Sequence, residues 1–144
     1  MLLSKQIAVY LNLAGCKLKQ YFASNLKKNG VNLTPEQFLL LDILWNEGAM
    51  SQQQMADTLM KDKNSITKLA DALEEKKLIC RILDTNDKRS NILTLTEASL
   101  KMKSWVKEIG IETLGKMIDG ISESDLLIFL SVLAKMNENM NKVK

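Results

Sequence analysis

Histidine is absent from all 144 residues. Its absence removes the commonest general base and the commonest metal ligand. The two cysteines, Cys16 and Cys80, are far apart in the chain, so no Cys/His zinc site is expected within one copy. There is no Gly-rich phosphate loop and no nucleophile elbow, so neither an enzyme nor a bound cofactor is expected. No apolar run approaches the roughly 18 residues that cross a bilayer. The start, Met1-Leu2-Leu3-Ser4-Lys5, lacks the basic segment, apolar core and small-residue cleavage site of a signal peptide. Two lone cysteines in this setting read as free thiols in a reducing cytoplasm. Proline occurs once, beside 46% hydrophobic and 26% charged residues, a composition that reads as soluble, globular and mainly helical.

What charge there is lies unevenly. The net value is only +3. Residues 1–30 hold five lysines and no acid, residues 61–91 hold eight basic and six acidic side chains, and the stretch from 97 onward balances seven against seven. A second copy would double whatever basic footprint one chain presents.

Apolar spacing divides the chain into helices with one β interlude. Ile7, Leu11, Ala14, Leu18, Tyr21, Phe22 and Leu26 recur at three- and four-residue steps over about 5–28, a helical stripe that Gly30 stops. Thr34-Pro35-Glu36-Gln37 predicts a capping box with proline at the first helical position, followed by Phe38, Leu41, Ile43, Leu44 and Trp45. Ser51-Gln52-Gln53-Gln54 is a second box, opening a short helix to about Leu59 with Met55, Ala56 and Leu59 inward. After the polar turn Lys61–Asn64, with Asp62 as cap, a longer helix turns Ile66, Leu69, Ala70 and Leu73 one way and Asn64, Ser65, Thr67, Lys68 and Asp71 the other. Two capped helices joined by three or four polar residues form a helix-turn-helix, whose second helix enters a DNA major groove.

Ile79–Leu83 and Ile92–Leu95 are short β-prone runs around the polar tip Asp84–Asn91, which reads as a hairpin. Thr96-Glu97 caps a helix that Gly110 and Gly115 weaken, making a bend plausible there. Ser122–Asp125 caps a last helix to about Met140, apolar around most of its circumference. Such a helix must be covered, and pairing it and the first helix across a two-fold axis would cover both. The expected architecture is therefore mainly α with a small β-hairpin wing. A winged helix-turn-helix occupies 31–97, and dimerisation helices occupy 1–30 and 98–144, in a single chain of 144 residues.

In the second helix of the pair, Lys63, Asn64, Ser65, Thr67 and Lys68 lie in the first two turns, where side chains meet base edges: asparagine pairs with adenine, lysine with guanine, and serine or threonine with phosphate or a thymine methyl. Gln52 and Gln53, at the start of the preceding helix, are candidates for the DNA backbone. On the wing, Arg89 has the reach for a narrow minor groove, Asp87 is placed to orient it by a charge-assisted hydrogen bond, and Lys88 and Asn91 are candidates for flanking phosphates. Taken alone, the helix set is as much an ordinary solvated face as a reader of bases, and the tip reads as an ordinary solvated turn. Attached to a capped helix pair, the tip reads as a wing.

The run Leu33-Thr34-Pro35-Glu36-Gln37-Phe38, then Met55-Ala56, Ser65-Ile66-Thr67-Lys68-Leu69, Leu73-Glu74-Glu75-Lys76-Lys77-Leu78-Ile79, Asp87-Lys88-Arg89 and Leu95-Thr96-Glu97 resembles the MarR family of bacterial transcription regulators over about residues 33–97. The resemblance implies a triangular homodimer on a pseudo-palindromic double-stranded operator, usually a repressor. It also implies release by a small phenolic or other aromatic effector, in a pocket to which Met55, Met102, Met117, Trp45 and Trp105 are candidates. The family's Asp-x-Arg wing pair falls on Asp87 and Arg89. Where the family often has glycine after the recognition helix this chain has Lys77, which weighs against a left-handed cap there. A second family glycine, after the Leu-Thr that closes the wing, is replaced by Ala98-Ser99. Some members sense peroxides through a cysteine early in the first helix. That position falls nearer Tyr10 than Cys16, and one of the activating tyrosines falls on Pro35, so redox sensing by Cys16 is an alternative beside ligand sensing. Another is a winged helix used for protein–protein contacts.

Overall fold

The computed structural model describes residues 2–87 and 90–142. Its order is α1 (Leu3–Lys28), α2 (Pro35–Glu47), β1 (Met50–Ser51), α3 (Gln52–Leu59), α4 (Lys63–Glu75), β2 (Ile79–Leu83), β3 (Asn91–Leu95), α5 (Glu97–Met117) and α6 (Glu123–Lys142). Helix accounts for 73% of the structure. Two compact units emerge, residues 1–113 and 114–144.

The helix starts follow the capping chemistry. Thr34 Oγ1 accepts from the Gln37 N–H at 3.1 Å while Gln37 Oε1 accepts from the Thr34 N–H at 3.2 Å. Ser51 and Gln54 repeat the exchange at 3.0 and 2.9 Å. Asp62 Oδ1 accepts from the Ser65 N–H at 2.7 Å. Each cap satisfies N–H groups that the first turn of a helix leaves without partners.

Three helix ends share one closing device. Gly30, Met60 and Lys77 all take positive φ, and the residue after each returns its N–H to a carbonyl five positions back: Val31 to Leu26 at 2.9 Å, Lys61 to Ala56 at 2.9 Å, Leu78 to Leu73 at 3.0 Å. That is the Schellman arrangement. In two of them the flanking apolar pair, Leu26 with Val31 and Leu73 with Leu78, is buried. Lys77 is thus left-handed despite its Cβ, contrary to the expectation from the missing glycine. Burial of Leu73 and Leu78 together with the 3.0 Å bond offsets the cost of the conformation.

The sheet is antiparallel, in the order β1-β3-β2. The hairpin pairs Ile79 with Leu95, Arg81 with Leu93 and Leu83 with Asn91. The third strand, β1, is an addition to the hairpin expected from sequence: Met50 pairs with Leu93 and Ser51 with Ile92. Leu40, Leu41, Leu44, Met55, Ile66, Ala70, Leu73, Ile79, Leu93 and Val106 form one buried core between the helices and the sheet. α5 crosses this core at Gly110, where an added Cβ would lie 2.9 Å from Cζ of Phe38. The Phe38 ring is itself packed against Phe22 in a tilted contact, with centroids 5.0 Å apart and planes at 57°. Gly110 is therefore explained by close packing, and α5 runs as one helix through it. Tyr21 Oη donates to the Thr113 carbonyl at 2.7 Å, tying α1 to α5.

The ends of the chain contrast with this core. On α1 only Phe22 and Leu26 are buried, while Ile7, Leu11 and Leu18 are exposed. On α6 no residue is buried.

Candidate nucleic-acid interface

The polar face of α4 opens the site. Lys63, Asn64 and Lys68 are exposed there, Ser65 and Thr67 half-buried. The Ser65 N–H is committed to Asp62, and that hydrogen bond holds the Asp62 carboxyl below its ordinary value. Thr67 Oγ1 donates to the Lys63 carbonyl at 3.0 Å and accepts from Gln52 Nε2 at 3.4 Å. Gln52 is only 8% exposed, so this contact joins α3 to α4 from inside. Gln53 is exposed and donates to Asp57 Oδ1 at 3.0 Å.

The wing stands beside the start of α4. Asp84 closes the tip: its N–H donates to the Ser90 carbonyl at 3.0 Å, its carboxylate accepts from the Asn86 N–H at 2.9 Å, and the Asp87 carbonyl accepts from the Ser90 N–H at 2.9 Å. Lys88 and Arg89, and with Arg89 the expected Asp87–Arg89 pair, lie outside the described residues. Gln52, Gln53, Lys63, Asp87 and Asn91 meet around a cleft of about 350 Å³. Three separate stretches of sequence converge there. Ser90, which the sequence reading passed over, completes the lining. Ser65, Thr67, Lys68 and Asn64 are not among the lining residues.

Ion pairs and lysine hydrogen bonds fasten the frame. Glu36, in the first turn of α2, accepts from Lys61 in the turn between α3 and α4 at 2.9 Å, a hydrogen bond that lowers the Glu36 pKa. Lys76 Nζ, at the end of α4, donates to the Asn32 carbonyl and to Gln37 Oε1, both at 2.8 Å. Arg81 on β2 bonds Asp71 and Glu74 of α4. The sequence signal for these was weak, because lysines and acids spread over three elements carry no periodicity.

Among the candidate pocket residues, Met55 and Trp45 are core. Met102 and Trp105 line a hollow of about 370 Å³ with Gly30, Asn32, Lys76 and Leu78. Met117 is exposed in the second unit. Cys16 and Cys80 are both exposed, so neither fills the core. Among the described residues no cluster of His, Cys, Asp and Glu is arranged to hold a metal, and no helix is long and apolar enough to cross a membrane.

A capped helix pair followed by an antiparallel hairpin defines a winged helix-turn-helix protein. Residues 33–91 match the model of the MarR family. The HTH-type transcriptional regulator MhqR of Bacillus subtilis (strain 168) is 24% identical over 94% of this chain and 92% of its own length. The organic hydroperoxide resistance transcriptional regulator of the same organism is 26% identical over 99% and 94%. The S. aureus MepR–DNA complex has the same fold, with a TM-score of 0.83 at 24% identity over 92% of this chain and 96% of that one. Over residues 33–91 the chain thus matches the MarR family, and its fold is that of MarR-family structures. Its relatives are transcriptional regulators, not enzymes.

Proposed function

We propose that this chain is a homodimeric, sequence-specific regulator of transcription that binds double-stranded DNA and acts in the cytoplasm as a repressor released by a small molecule. The observation that carries the reading is the convergence of Lys63 on α4 with Asp87, Ser90 and Asn91 of the wing around one cleft, with Asn64 and Lys68 exposed on the same helix. A helix offering lysine and asparagine to base edges beside a wing is the arrangement a major groove and its flanking minor groove accept. In this reading Lys63, Asn64 and Lys68 read bases, and Ser65 and Thr67 border them. Gln53 approaches the backbone, Asn91 and Lys88 take phosphates, and Asp87 with Arg89 serves the minor groove. Gln52 acts through its hold on Thr67. Residues 31–97 form the DNA-binding module, and 1–30 with 98–144 dimerise, which would cover the exposed apolar residues of α1 and α6. A relative is caught as a DNA complex, which supports the choice of duplex over a protein partner.

For the effector, the hollow at Met102 and Trp105 suits a small aromatic or phenolic molecule, because a thioether and an indole adapt to flat apolar ligands. Peroxide is the second reading, favoured by the exposed thiol of Cys16 on α1 and by likeness to a regulator of organic hydroperoxide resistance.

Footprinting on genomic DNA tests the proposal. A protected dyad with half-sites about one helical turn apart is expected, with affinity that falls as salt rises by a slope of about −0.9 per phosphate contact. No protection at low salt would overturn it. Loss of protection in cumene hydroperoxide, restored by dithiothreitol, would move the effector to the second reading.

A further inference from the structure

Arg81 stands where the strand pattern calls for an apolar side chain. In the hairpin it lies directly opposite Leu93, and cross-strand partners share one face of a sheet. That face is the core face, since Leu93 is fully buried. Arg81 is the residue that follows Ile79 on it, and its side chain is only 20% exposed. The guanidinium reaches from the wing to α4 and donates to Asp71 at 2.5 Å and to Glu74 at 3.0 Å. These two acids lie three residues apart, hence on neighbouring turns of one helix face. Both bonds leave one nitrogen, Nη2, so a single end of the guanidinium holds the two acids together. The hydrogen bond from Arg81 lowers the Glu74 pKa, and its mutual effect raises that of Arg81.

Asp71 follows Asn64 by seven residues and so shares its stripe of α4. Two uncompensated carboxylates on that stripe would repel a phosphate backbone. Left without Arg81, the wing would also lose its polar attachment to the helix beyond the point where the apolar core ends.

We propose that Arg81 is a positioning residue for duplex binding, clamping the wing to the recognition helix through Asp71 and Glu74 so that both present to DNA at one fixed attitude. The inference rests on the DNA-binding reading above. Arg81 makes no contact with the duplex in this account.

The sign of one experiment separates a clamp from simple electrostatics. The double variant Asp71→Asn, Glu74→Gln removes two negative charges from the binding face and frees the Arg81 cation. If charge alone mattered, or if Arg81 itself touched phosphate, binding would tighten. The clamp predicts weaker binding, by about fivefold, as does Arg81→Met by about tenfold, with Arg81→Lys between wild type and Arg81→Met. The measurement is fluorescence anisotropy of the full dimer with a labelled 30-base-pair duplex taken from the footprint. Hydrogen exchange without DNA supplies a second readout: amides of residues 81–83 and 91–95 should exchange faster in both clamp variants while those of α3 are unchanged. The double variant changes only exposed side chains, so it keeps the proposal open to refutation if Arg81→Met fails to fold. Equal or tighter binding by the double variant, with wild type bound normally, overturns the clamp. Absence of binding by wild type overturns the regulator reading, and the clamp's role in duplex binding with it.

Discussion

α4 and α6 both begin at a side-chain cap, Asp62 and Ser122, yet they end in opposite conditions. In α4 the apolar stripe of Ile66, Ala70 and Leu73 is completely buried, held by α3, the sheet and α2. In α6, longer at 20 residues against 13, Leu127, Phe129, Leu130 and Val132 stay exposed. The difference is one of partners rather than of sequence quality. The core around α4 is closed within one chain, by the winged module together with Phe22 and Leu26 of α1 and Val106 and Ile109 of α5, so its stability belongs to the single chain. The end helices leave Leu11, Leu18, Leu127 and Phe129 exposed, apolar surface that the proposed dimer would cover.

The largest expected effect tests the second half of that contrast. Removing residues 122–144 should abolish the dimer and yield monomers or aggregates, read by sedimentation velocity. A soluble dimer after truncation would refute the role given to α6. Next is Ile66→Ala, which empties a fully buried position. It should cost about 2–5 kcal/mol and lower the melting temperature equally at low and high protein concentration. A strongly concentration-dependent loss would mean that the module does not stand on its own core.

Gly110→Ala comes third. The new Cβ meets the Phe38 ring, which packs against Phe22. That overlap should exceed the roughly 1 kcal/mol gain in helix propensity, giving a net loss of about 1 kcal/mol in chemical denaturation. A gain would show that Phe38 yields freely. Lys77→Gly has the opposite sign: it relieves a left-handed residue and should raise stability by up to about 1 kcal/mol, seen as a higher denaturation midpoint with unchanged slope.

The smallest effect is a pH dependence. Folding lowers the pKa of Glu36, Asp62 and Glu74 from ordinary values of 4.5, 3.8 and 4.5. Their contribution is therefore complete above those values and fades as pH falls through the folded ones. A shallow loss of melting temperature below about pH 4 is expected, reduced by Asp62→Asn. A loss that begins above pH 6 would point to other groups.

The helix pair was readable because its information is local: a threonine, a serine and an aspartate, each placed to accept an N–H three residues on, fixed the three helix starts. The wing strands were readable from their change of period. β1 was not, since two residues such as Met50 and Ser51 show no alternation and become a strand only through β3. The left-handed turn at Lys77 was hidden for a related reason. It depends on Leu73 and Leu78 being buried together, a tertiary fact. In the interface, the exposure of Lys63, Asn64 and Lys68 followed from helical spacing, whereas the inward turn of Gln52 toward Thr67 needed the crossing of α3 over α4. Arg81 was invisible as a functional residue because its acids sit on another element.

Ser51 holds two posts at once, closing β1 against Ile92 and capping α3. The mouth of the helix pair is thereby fastened to the root of the wing, while Asp84 and Ser90 close the tip beyond the last strand pair, Leu83 and Asn91. Insertions or deletions at that tip should leave the ladder register and the α3 cap untouched. Lineages descended from such a chain would then be free to vary the reach of the wing, and so the flanking DNA it samples, without renegotiating the fold.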